Sequence, residues 1–257
     1  MRLVSRQLNW DGGFNLRDLG GLPTRHGHLT RHGAVVRAGA LDGLTQAGWA
    51  ALTAHGVKTV IDLRNDDEPG VDAAARPQHL TTIRLPLDGI HDREFWDVWA
   101  SGPQFATPLY FRPHLERFPE RNVAVLSAIA RADPGGVVVH CRGGRDRTGQ
   151  ITMLLLALVG VAAEDIAADY ALSSEGLPAP NAAHDEPDKD AIGEAFLAAQ
   201  GTTAEEVIVD SLRDLDLEAW VRTAGLSESD VGALRTRLLG TRRVRSSTGS
   251  VPTSRGP

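Results

Sequence analysis

Cysteine occurs once in 257 residues. A single thiol cannot close an intrachain disulfide, which excludes a disulfide-stapled secreted domain and fits a reducing compartment. Lysine is almost as scarce: Lys58 and Lys189 stand against arginine at every other basic position. With abundant Ala, Gly and Asp this looks like GC-rich coding, so an isolated arginine carries less functional weight than usual. No apolar run is long. ITMLLLALVGVAA is about 13 residues, short of the roughly 20 that cross a bilayer, and reads as a buried core helix. The opening MRLVSRQLNWDGGFN has no apolar h-region, so no signal peptide and a cytoplasmic location are expected. No internal repeat is present. The formal net charge of −6 gives no global attraction to nucleic acid or to an anionic membrane. Any anion binding must therefore be local.

The length suits one domain, expected over 1–240, with a polar tail from 241 to 257 expected to be disordered. LTQAGWAALTAHG (44–56) has a helical pattern with Thr45 as N-cap and Gly56 as a stop signal. VKTVIDLR (57–64), TTIRLPL (81–87) and GVVVH (136–140) are β-branched strand patterns. DDEPGVDAAARP is a loop or short helix, and 107–132 forms two helices split near Pro119. TGQITMLLLALVG (148–160) is the helix after the last strand. Buried strands alternating with helices predict an α/β fold: a central, mainly parallel sheet flanked by helices. Beyond Ala163 the chain is helical. A polar break at 176–190 is followed by amphipathic stretches at 191–200 and 204–215, and by a helix opening at Ser227.

The one cysteine sits in HCRGGRDRTGQ (140–150), between the apolar strand and the helix. Strand, Gly-rich loop and helix N-terminus together aim backbone N–H groups at one spot, where a phosphate fits. Gly143 and Gly144 let the loop curl and let backbone approach the ligand. Helix N-termini and nearby cations favour the thiolate, which makes Cys141 a nucleophile. Arg147, at the end of C-x5-R, has a planar fork that can grip two phosphoryl oxygens. Thr148 is placed to donate to the sulfur, and His140 to orient the loop. Arg142 and Arg145 add local positive charge. A nucleotide P-loop is excluded, because Gln150 and Ile151 stand where Lys and Ser/Thr are required.

HCRGGRDRTG resembles the HC-x5-R-[ST] signature of the cysteine-based tyrosine and dual-specificity phosphatases. In detail it is similar to the bacterial branch whose loop reads HC-x-x-G-K-D-R-T-G. FNLRDLGG (14–21), Asp62-Leu63-Arg64, Leu85-Pro86, Phe118-Pro119, Ala168-Asp169-Tyr170 and Ala224 to Ser227 match further pieces of that branch. The resemblance implies a metal-independent, cofactor-free phosphomonoesterase acting through an S-phosphocysteine, with phosphotyrosine proteins as first-choice substrate. It also implies a helical lid over 176–215. Arg145 stands where close relatives carry Lys, a position associated in them with phosphoinositide activity, so phosphoinositides are a further substrate class. The family pattern places the acid shortly after L-P, at Asp88, with Asp92 nearby and Asp146 in the loop as alternatives. Asn15, Arg17 and Asp18 are expected to tie the N-terminal segment to the sheet, and Arg64 to form a salt bridge. His26, His28 and His32 lack a completing ligand, so no metal site is expected. Two other functions compete: a non-enzymatic phosphate-binding module, and thiolate chemistry on sulfur or arsenate. Oligomeric state is left open.

Overall fold

The structure is a computed structural model that describes residues 5–177 and 189–240. The tail from 241 and most of the polar break lie outside the described residues. Five strands form one sheet in the order β1-β2-β5-β3-β4. They are β1 (Arg17–Asp18), β2 (Val35–Ala38), β3 (Val57–Asp62), β4 (Thr81–Arg84) and β5 (Gly136–His140). Only the β1–β2 pair is antiparallel. The three central strands are rich in valine and covered on both faces, as a parallel sheet requires.

Alternation along these strands divides the core in two. Val36, Val60 and Val138 face Trp49 and Leu52 of α1 (Gln46–Ala54), whose Thr45 cap accepts from Gly48 N–H. Val35, Ile61, Val137 and Val139 face a larger helical layer. That layer includes α2 (Arg93–Trp99), α3 (Phe111–Arg117), α4 (Pro119–Arg131), α5 (Asp146–Leu158) and α6 (Ala163–Glu175). Past α7 (Lys189–Ala199), which packs against the turn at 103–106, it continues with α8 (Ala204–Asp214), α9 (Leu217–Ala224) and α10 (Glu228–Leu239). Every residue of α5 from Thr148 to Leu156 is buried, so it is the core helix its sequence predicts. None of the described helices is long and apolar enough to cross a membrane.

Two boundaries differ from the sequence pattern. β4 ends at Arg84 rather than Leu87, although Leu85 and Leu87 N–H still donate to the Asp62 and Leu63 carbonyls beyond the strand. The helix α2 goes unsignalled: its side chains are largely aromatic, and Asp92, capping Phe95 N–H, reads from sequence as a loop acid.

Register sets the position of the site. Ala38 pairs with His140, and His140 with Asp62, so β2, β5 and β3 end side by side. The loops leaving those three ends converge at the carboxyl edge of the sheet, where open α/β sheets bind ligands.

Candidate active site

The loop from Cys141 to Arg145 leaves β5 and enters α5 at Asp146. Three consecutive loop carbonyls are held from behind. Ala40 N–H donates to the Arg142 carbonyl (2.9 Å), Asn15 Nδ2 to Gly143 (2.8 Å) and Arg37 Nη2 to Gly144 (2.8 Å). Gly144 N–H donates to Cys141 Sγ at 3.2 Å. Gly144 has φ +69°, and a Cβ there would lie 2.4 Å from the Ala38 backbone, so only glycine fits.

A buried cluster of charge stands behind the loop. Arg6, Arg17 and Arg37 converge on the Asp169 carboxylate of α6, and Ser173 Oγ accepts from Arg17 and Arg37. Burial raises the Asp169 carboxyl, but Arg37, Arg17 and Arg6 outweigh it and hold its pKa near 2. Burial, reinforced by Arg37, lowers the Arg17 guanidinium to about 10. The FNLRDLGG segment thus does more than join the sheet. Asp18 does that, accepting from Gly20 and Gly33 N–H, whereas Asn15 reaches the loop and Arg17 reaches α6.

Arg147 points to the edge of the loop, and its donors can be counted. Nη1 and Nη2 meet the two oxygens of Glu68 at 2.5 and 2.8 Å, and Nη1 also lies 3.1 Å from Asp88 Oδ2. Among the described residues nothing accepts from Nε, so the Nε–Nη2 edge is left for a ligand's oxygens. Burial would lower the Arg147 pKa, but the Glu68 bond and the Cys141 and Asp88 charges raise it overall. Glu68, from the loop after β3, was not among the residues the sequence singled out. It is one of three consecutive acids, and nothing local distinguishes it. The missing signal was the strand order that places the β3 and β5 loops side by side.

The three candidate acids are placed differently. Asp88 is half-buried and accepts from Asn65 Nδ2 (2.8 Å), and removal from water raises its pKa against the opposing pull of Arg147. Asp146 opens α5 and accepts from Tyr170 Oη at 3.0 Å. Asp92 caps α2 and pairs with Arg117, which lowers its carboxyl pKa. Tyr110 and Tyr170 are buried beside these acids; burial, then the Asp146 charge, pushes both phenols up.

The remaining predicted residues also have definite places. His140 is buried, its Nδ1 lies 3.3 Å from the Cys141 carbonyl, and burial lowers its pKa to about 4. Thr148 Oγ1 is buried and makes no hydrogen bond, to sulfur or otherwise, among the described residues. The Arg142 side chain is exposed. The Arg145 guanidinium packs on the Tyr170 ring and donates to the Ala106 carbonyl and to Asp190 of α7. Arg64 forms its salt bridges with Asp62 and Asp42. His26 accepts from Arg25, while His32 lies 3.9 Å from Asp18.

A family model described as the tyrosine phosphatase family matches residues 8–240. The chain belongs to that family. As a family member it is 36% identical over 143 residues to a tyrosine-protein phosphatase of Nostoc commune, covering 54% of this chain and 48% of that protein. It is 28% identical over 198 residues to the triple specificity protein phosphatase PtpB of Mycobacterium tuberculosis, covering 65% and 69%. A Cupriavidus necator relative is 31% identical over 174 residues, covering 65% and 63%. The chain thus spans between about half and two thirds of the length of these curated relatives.

Proposed function

We propose that this chain is a phosphomonoesterase that hydrolyses phosphotyrosine in proteins through an S-phosphocysteine, with its site in one domain running to residue 240. The observation that carries this reading is the pinning of the Arg142, Gly143 and Gly144 carbonyls away from Cys141. The loop so held has Gly144 N–H already donating to Cys141 Sγ before any substrate arrives, and preorganised donors cost no reorganisation during reaction.

In the first step the Cys141 thiolate attacks phosphorus and the ester P–O bond breaks. Asp88 passes its proton to the leaving phenolate oxygen, a role its raised pKa suits. The free edge of Arg147 and the loop amides take the phosphoryl oxygens. Water then attacks phosphorus, Asp88 accepts its proton, and the S–P bond breaks to return the thiolate. Thr148, whose hydroxyl is unengaged among the described residues, has its donor free for the departing sulfur. His140 holds the loop's entry. No step calls on a metal or a cofactor.

Phosphoserine, phosphothreonine and phosphoinositides are secondary substrate classes. For the lipids, Arg142 is the exposed cation of the loop, since Arg145 is engaged elsewhere. The lid reading is carried by α7, which reaches the loop through Arg145–Asp190 and packs Gly193 on Ala106. Presence of Cys141, Arg147 and Asp88 together favours turnover over mere phosphate binding.

Phosphotyrosine peptide, phosphoserine peptide and phosphoinositide should be assayed side by side, with Cys141→Ser as blank. Cys141-dependent release of phosphate, fastest from phosphotyrosine, is expected. Release unchanged in Cys141→Ser would overturn the proposal.

A further inference from the structure

The segment that carries Asp88 is bound at three consecutive carbonyls by side chains from three different helices. Arg121 of α4 donates to Pro86 O (2.8 Å), His114 of α3 to Leu87 O (3.2 Å), and Trp96 of α2 to Asp88 O (2.9 Å). His114 alone of the three continues to the nucleophile's side of the molecule. Its Nε2–H is spent on Leu87, so Nδ1 must accept, and it accepts from Gln150 Nε2 at 2.9 Å. Gln150 lies on α5, the helix that the signature loop enters. Its second amide hydrogen goes to Asn122 Oδ1 at 2.7 Å, and Asn122 Nδ2 donates to the Phe118 carbonyl at 2.9 Å.

All three side chains are buried, with His114 at 1%, Gln150 at 1% and Asn122 at 0% exposure. The imidazole is ringed by Phe95, Trp96, Tyr110 and Phe118. A phenylalanine would suit such surroundings. What histidine adds is one donor toward the acid segment and one acceptor toward α5.

We propose that His114 is a positioning residue: it ties the Leu87–Asp88 segment to α5, so that the general acid stays at a fixed place relative to Cys141. The acid segment then works without a large closing movement. This inference rests on the phosphatase reading with Asp88 as acid.

The test uses two aryl phosphates. Phenyl phosphate releases a basic phenolate that needs the acid's proton, whereas p-nitrophenyl phosphate releases a far more acidic phenol that needs it little. General acid catalysis is worth about 10²–10⁴-fold. His114→Asn has an amide that reaches Gln150 but not Leu87. It should lose at least about tenfold more kcat/KM on phenyl phosphate than on p-nitrophenyl phosphate. His114→Gln, whose amide offers an N–H donor to Leu87 and an oxygen acceptor to Gln150, should keep the ratio of the two substrates within about threefold of wild type. Should His114→Asn not fold, Gln150→Leu cuts the same tie from α5 and carries the same expected shift in ratio. Equal losses on both substrates, or identical ratios for the Asn and Gln variants, would overturn the inference while leaving the phosphatase reading intact. A wild type with no Cys141-dependent turnover of either ester would instead overturn that reading, and this one with it.

Discussion

Two carboxylates flank Arg147, and their surroundings give them different tasks. Asp88 is half-buried with its pKa raised, so it keeps a proton to higher pH than an ordinary aspartate. Activity should therefore fall as pH rises through that pKa. Asp88→Asn should remove this alkaline limb from the kcat profile and lower kcat on phenyl phosphate about 10²-fold or more, measured from pH 5 to 9. Glu68 goes the other way. Burial pushes its carboxyl up, but the bond to Arg147 lowers it overall, so it remains an anion clamping the fork. Glu68→Gln keeps the shape and removes the charge that orients Arg147. We predict a loss of roughly 10–10²-fold in kcat/KM, read from initial rates, because a misplaced contact costs about that much. An unchanged kcat/KM would show that the pair is incidental. Cys141 and Arg147 were singled out in the sequence by a local motif and Asp88 by the family pattern, and the structure brings Arg147 within 3.1 Å of Asp88. Glu68 and His114 were not singled out, since their roles exist only once strands distant in sequence lie together.

At the scale of elements, the phosphate loop depends on a helix about 30 residues further along the chain. Arg37 of β2 reaches both Asp169 of α6 and the Gly144 carbonyl, so α6 braces the loop through one guanidinium. Removing the carboxylate would leave the buried Arg17 and Arg37 and the half-buried Arg6 without their acid, a change that costs about 3–5 kcal/mol. Asp169→Asn is expected to lower unfolding stability by roughly that amount in urea titrations, and to loosen the loop so that kcat/KM also falls. The sequence shows Ala-Asp-Tyr but not its target, because nothing in those three residues names β2. Strands and core helices were legible from β-branched runs and apolar periodicity. The exception was α2, whose aromatic face packs on α3 and was not periodic enough to announce a helix.

For the whole molecule, two buried histidines make stability depend on pH. Burial lowers His114 and His140 to about 4 each, against roughly 6.5 in an unfolded chain. Between those values the unfolded state binds more protons, so stability rises with pH across the window. Acidification from about pH 6.5 to 4 should thus cost on the order of a few kcal/mol, seen as a falling midpoint in denaturant. Asp169 extends the trend: its depressed pKa contributes stability present above about pH 4, lost as pH falls through about 2. A midpoint flat across pH 4–6.5 would contradict the neutral, buried state of both rings. The mainly parallel α/β architecture followed from buried strands alternating with helices along the chain.

The most direct measurement is an acid quench during turnover of a phosphotyrosine peptide labelled at phosphorus, followed by peptide mapping. A phosphoryl group bonded to sulfur at residue 141 is expected, vanishing in Cys141→Ser. Steady turnover with the label never found on that sulfur, or persisting after its replacement by oxygen, would contradict the account.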